Sequence, residues 1–230
     1  MINPDDAVDR EPVKIPLEFA PSSFVIAAIC GNWWQESTLN PGLYEGRKEV
    51  PLTDNNVYGG YGLGQWTNAP SKKVYRRTAL ANYLASNGWP YTSGPGQMCF
   101  FIVEDIWYKT AQAADFTNLK DYLSSDSRDL EYLTYAFMRG WEGIWDGTQG
   151  KRVEYAQKCW KAFDEWEEPS GWVINNKYLS NKQRVNNARL IWRYMTGDEV
   201  PGDTPGPIKP HPTPSAKRRG LRVWQMIRYH

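Results

Sequence analysis

Glu36 is the acid whose surroundings say most about chemistry. It lies in the segment GNWWQESTLNPG (residues 31–42), at the end of an apolar helical stretch. Asn32 and Trp33, four and three residues earlier, share its helix face. Indole surface strips water from a carboxyl and favours its protonated form, and the negative end of a helix dipole acts the same way. A carboxyl still protonated near neutral pH is what a glycosidase needs to donate to the leaving sugar oxygen. Further along, the segment YGGYGLGQWT (residues 58–67) places Gly60, Gly62 and Gly64 at alternate positions. Neither phosphate-loop spacing is met. These glycines are expected to let backbone approach a ligand closely, with Gln65 and Trp66 offering amide and ring contacts.

Other chemistries are excluded by what the chain lacks. Its two histidines, His211 and His230, fall in the tail, so the body holds no Ser-His or Cys-His couple and no histidine-ligated zinc site. That also removes the usual thiol and zinc peptidases. Cys30, Cys99 and Cys159 are odd in number and widely spaced, and read as small core residues rather than a disulfide framework. Carboxylates must therefore carry any catalysis. Twelve Trp and fourteen Tyr offer many rings, which suit either an aromatic-rich core or platforms for sugar faces.

These residues must be positioned by a mostly helical body. Ser22 or Ser23 can cap a helix after Pro21 that runs to about Ser37, where Asn40-Pro41-Gly42 stops it. Residues 43–68 are turn-rich and hold at best a short, irregular hairpin. Helical spacing returns at Val74, Ala81 and Leu84, and then at Cys99, Ile102, Val103 and Ile106. It continues at Leu130, Leu133 and Phe137, at Val153, Ala156, Trp160 and Phe163, and at Val185, Ala188, Trp192 and Met195.

Residues 1–20 carry three prolines without periodicity and read as an extended arm. Residues 198–217 are a proline-rich linker, and residues 218–230 a basic segment with period-two apolar spacing that could add a strand to a partner. The net charge of +1 hides an asymmetry: six basic and no acidic residues from Thr204 onward leave residues 1–203 at −5. Such a body is not a nucleic-acid binder. The longest purely apolar run, residues 24–30, is too short to span a bilayer and no export signal precedes it, so no membrane insertion is expected.

The two motifs together, Q-E-S-x-x-N-P-G and Y-G-x-G-Q-W-T, resemble the phage tail-type lysozyme family, related to goose-type lysozymes and soluble lytic transglycosylases. The likeness covers residues 22–166, with Trp141-Glu142 similar to the family's aromatic-Glu element and residues 152–160 similar to its closing helix. The resemblance implies a mainly α (α+β lysozyme-like) fold: a helical domain over residues 21–197, a small glycine-rich β/loop lobe, and a glycan groove between lobes. It implies a muramidase that cleaves the β-1,4 bond between N-acetylmuramic acid and N-acetylglucosamine of bacterial peptidoglycan. Glu36 would be the catalytic acid, Gln65 and Trp66 would line the groove with Tyr61 nearby, and Glu142 would support the site by hydrogen bonding. Asp54 and Glu49 are the candidates for a second carboxylate, while Glu45 reads as solvent-exposed. Lytic transglycosylases manage with one Glu, because the substrate's own hydroxyl attacks, and a non-catalytic glycan-binding tail component is a further alternative. No metal or organic cofactor is implied.

One departure is instructive. Family members usually begin with a helix resembling N-K-Y-L-S…N-A…I…Y, and here that pattern stands at residues 176–194, near the end. A circular permutation would place this C-terminal helix in the slot of the first one; a truncated second copy or an unrelated helix are the rivals. The implied setting is a virion tail, or the host cytoplasm before release through a holin. Other tail proteins would be reached through the linker and the basic segment.

Overall fold

The structure is a computed structural model that describes residues 21–45, 59–175 and 177–197. The expected arm, linker and basic segment, together with Glu49 and Asp54, lie outside the described residues.

The fold is mainly helical, as the spacing implies. Helix α1 (Ser23–Ser37) is the central element, buried without a break from Val25 to Trp34. It is apolar all round because it is enclosed on every side. Ser22 caps its start, its hydroxyl accepting from the Val25 amide at 3.3 Å. Around it pack α5 (Leu130–Phe137), α6 (Gln149–Asp164) and α7 (Asn181–Thr196). A Cβ at Gly31 would meet the Arg152 carbonyl oxygen at 2.5 Å and the Ala156 Cβ at 2.6 Å, so this glycine allows α1 and α6 to touch backbone to backbone. Helices α2 (Arg76–Ser86) and α3 (Gly94–Glu104) and the short α4 (Leu119–Leu123) complete the body. One element starts later and one stops earlier than the apolar spacing suggests. Val74 belongs to a strand rather than to α2, and α3 ends before Ile106 because Asp105 takes a left-handed conformation at φ 43°.

The small lobe is an irregular hairpin. Tyr61 bridges Tyr44 and Trp66, and β1 (Asn68–Ala69) pairs antiparallel with β2 (Val74–Tyr75). The alternating glycines of this lobe fit the protein's own side chains. A Cβ at Gly62 would meet Gln97 Oε1 at 2.4 Å, and one at Gly64 would meet Trp141 Cη2 at 2.4 Å. The close approach expected for a ligand is thus made by Gln97 and Trp141.

The core accounts for much of the aromatic content. Trp33 packs edge-on against Phe101 and Trp141, and Trp141 stacks on Phe137 at 5.2 Å. All three cysteines are buried and free. Among the described residues no helix is long and apolar enough to cross a membrane.

The exit from α1 is unusual. Thr38 and Leu39 both sit at φ 58°, consecutive left-handed positions without a glycine, a conformation that costs on the order of 1–3 kcal/mol per residue. The segment before α7 holds them there. Thr38 Oγ1 accepts from the Leu179 amide at 3.1 Å, and Asn187 Nδ2 donates to the Leu39 carbonyl at 2.8 Å. Asn40 Nδ2 donates to the carbonyls of Asn175 at 2.7 Å and Lys177 at 2.9 Å.

Candidate active site

The site is assembled at the end of α1, around one guanidinium. Arg152 rises from the first turns of α6 with its side chain fully buried. Burying an unpaired cation is prohibitive, and its donors are all engaged. Nη2 donates to Glu36 Oε1 at 2.5 Å and to Asp146 Oδ2 at 3.4 Å. Nη1 donates to Glu142 Oε2 at 2.7 Å and to Asn32 Oδ1 at 3.1 Å, and Nε to Thr148 Oγ1 at 2.8 Å.

Each acceptor is oriented by its own element. Asn32 lies one turn before Glu36 on α1. Its amide nitrogen donates to the carbonyls of Ala28 (2.9 Å) and Thr134 (3.1 Å), which turns its oxygen toward Arg152. Glu142 ends a π-helical turn, Met138–Glu142, that follows α5 directly; such turns re-aim side chains at functional sites. Asp146 and Thr148 form the turn that leads into α6. The Thr148 hydroxyl and amide donate to Asp146 Oδ1 at 2.6 and 3.0 Å, and the same hydroxyl accepts from Arg152.

Three carboxyl groups around one cation carry more negative charge than it neutralises, and burial decides where the imbalance falls. Glu142 is 5% exposed, and its Oε1 has no hydrogen-bond partner among the described residues. Burial, reinforced by the charges of Glu36 and Asp146, pushes its carboxyl up to about 8 against the pull of Arg152 and Arg76. Asp146 is 43% exposed. Partial burial opposes its charge, but the Thr148 hydroxyl and amide and the Arg152 guanidinium outweigh it and hold the carboxyl below its usual range. Glu36 is 26% exposed, between Glu142 and Asp146 in its access to solvent. The cluster therefore retains a proton at neutral pH and presents two carboxyls to solvent.

A second ion pair braces the wall behind. Arg76 stacks over the Trp141 ring at 4.4 Å and bonds Glu104 through Nε at 2.7 Å and Nη2 at 2.8 Å. Glu104 also accepts from Trp66 Nε1 at 3.0 Å.

Glu36 and Glu142 are thus brought together through Arg152. Tyr61 (1% exposed) and Trp66 (0%) are core residues, so their rings offer no face to a sugar. Gln65 sits at φ 48° with its amide nitrogen donating to the Leu43 and Gly62 carbonyls, so it shapes the lobe. Glu45 is exposed, yet its Oε2 accepts from the Gly60 amide at 2.7 Å. Arg152, Asn32, Asp146 and Thr148 escaped the sequence reading as site residues; the one available signal was an Asp-Gly-Thr turn with an arginine one helical turn later.

A family model described as phage tail lysozyme matches residues 22–163, more than half of the chain. The chain belongs to the phage tail lysozyme family. Its function is lysozyme-like, directed at peptidoglycan. The matched span contains Glu36, Glu142, Asp146 and Arg152 and stops before α7, so the segment that latches the exit of α1 lies beyond it.

Proposed function

We propose that the protein is a muramidase that hydrolyses the β-1,4 bond between N-acetylmuramic acid and N-acetylglucosamine in peptidoglycan, with Glu36 as general acid. The observation that carries the proposal is the position of Glu36. Its carboxyl is solvent-accessible, lies in the last turn of the central helix, and is held by Arg152 beside Asp146. A sugar seated over this carboxyl places its glycosidic oxygen where Glu36 can act as general acid. Glu142, nearly fully buried, serves by holding Arg152 in place rather than by touching substrate. A tail-borne lysin fits the family, and the linker and basic segment supply the chain with a means of docking on other tail proteins.

Mass spectrometry of fragments from purified peptidoglycan tests this. Reducing muramic ends from the wild type and none from Glu36→Gln are expected. Anhydro-muramic ends would make it a transglycosylase. A Glu36→Gln variant that still cuts would remove Glu36 from the mechanism.

The catalytic unit we propose is residues 21–197, with α7 filling the slot of a permuted first helix. The hydrogen bond from Asn187 of α7 to Leu39, and those that link Leu179 and Lys177 just before it to Thr38 and Asn40, support that reading.

A further inference from the structure

Glu36 and Asp146 share one nitrogen. Oxygens held at 2.5 and 3.4 Å from Arg152 Nη2 lie no more than about 6 Å apart, a ceiling that admits the roughly 5–5.5 Å of double-displacement glycosidases and, for these two atoms, falls short of the roughly 6.5–9.5 Å that leaves room for a water. Glu142 is too buried to reach a sugar, whereas Asp146 is open to solvent. Thr148 occupies Asp146 Oδ1 through its hydroxyl and amide, which fixes the carboxylate and, among the described residues, leaves Oδ2 with the long contact to Arg152. The preceding residue, Trp145, is 47% exposed and braced edge-on by Tyr135 at 5.5 Å. The Arg139 guanidinium lies over this ring at 5.9 Å, and the exposed remainder of the indole offers apolar surface to a pyranose ring.

From this arrangement we propose that Asp146 is the second catalytic carboxylate and acts as the nucleophile. The proposal rests on the muramidase reading. In the first step Glu36 gives its proton to the glycosidic oxygen while Asp146 Oδ2 attacks C1 of the muramic residue. The C1–O bond breaks, N-acetylglucosamine leaves with its 4-hydroxyl, and a glycosyl ester forms on Asp146. In the second step water, deprotonated by the Glu36 carboxylate, attacks C1 and releases Asp146 unchanged. The net reaction consumes one water and retains the β configuration.

The test uses the full chain and solubilised glycan strands of peptidoglycan. Asp146→Asn keeps the shape and the Thr148 contacts and is expected to unfold at the wild-type temperature while losing at least about a hundredfold in turnover. Proton NMR should show the β-anomer of the new reducing ends first. Sodium azide should accelerate Asp146→Ala at least about tenfold and yield an α-glycosyl azide. An initial α-anomer, an Asp146→Asn rate within about threefold of wild type, or no azide adduct would each overturn the assignment and leave Glu36 as the acid. Anhydro ends from the wild type would overturn it too, with wall cleavage intact. No fragments at all from the wild type would mark the failure of the muramidase reading itself.

Discussion

Two regions grip the same end of α1, and they do so with opposite chemistries. On one side Arg152 holds Glu36 among charged groups, two of them open to solvent and one so buried that it keeps its proton near neutral pH. On the other, Asn40 and Asn187 hold the left-handed Thr38-Leu39 exit with neutral amide hydrogen bonds. The neutral latch is fully satisfied, so it rigidifies without electrostatic cost. The charged cluster leaves a buried carboxyl oxygen unpaired, a defect that a purely structural ion pair would not keep. One flank fixes where the carboxyl stands, and the other surrounds it with charged groups.

Breaking the latch entirely should have the largest effect. A chain ending at Pro169 loses α7 and the segment before it, and with them the hydrogen bonds of Asn175, Lys177, Leu179 and Asn187 to Thr38, Leu39 and Asn40. It should be unfolded by circular dichroism and inactive; a truncated chain that folds and cuts like the whole would show that α7 is an accessory. Next comes the charged flank. Arg152→Met takes the donor from the buried Glu142 carboxyl and the buried Asn32 amide oxygen and should cost about 1–3 kcal/mol for each in urea unfolding at pH 7. The loss should shrink in acid, as the carboxyls neutralise. Asn40→Ala leaves the Asn175 and Lys177 carbonyls unpaired, for about 1–3 kcal/mol. Its effect should be flat with pH, because no titrating group is involved.

Glu142→Gln sharpens the contrast through the sign of its pH dependence. Folding raises the Glu142 carboxyl from 4.5 to about 8, so the folded chain binds the extra proton. Wild-type stability should therefore fall as pH rises from about 4.5 to about 8. The Gln variant still accepts from Arg152 and should lose that slope. Unfolding curves at pH 5 and pH 8.5 check this: a slope of equal size in both proteins would mean that Glu142 is not the buried proton carrier.

Much of the scaffold was legible because it follows from spacing and punctuation. The apolar run from Phe24, the Ser22 cap and the stop at Asn40-Pro41-Gly42 delimit α1 to within a residue or two, and the patterns of α6 and α7 are regular. Helix α4 spans five residues, too few for a period to show. The π-helical turn depends on a hydrogen-bond register that residue types do not encode. At the site, Glu36 and Glu142 stood out through their motifs. Arg152 did not, since a Lys-Arg pair at a helix start reads as solvated surface until packing buries it. Tyr61 and Trp66 erred the other way: a ring serves a groove or a core equally well in sequence, and here three neighbouring aromatics claim Trp66 for the core.

The most direct test of the division between the two flanks is a paired measurement on Glu36→Gln. Turnover on purified peptidoglycan and the free energy of urea unfolding would be taken from the same preparation. The account expects turnover to fall by at least about a hundredfold. Stability should hold or rise, because a negative charge leaves an over-acidic cluster while the latch stays whole. A variant that unfolds as its activity disappears, or one that cuts at the wild-type rate, would contradict it.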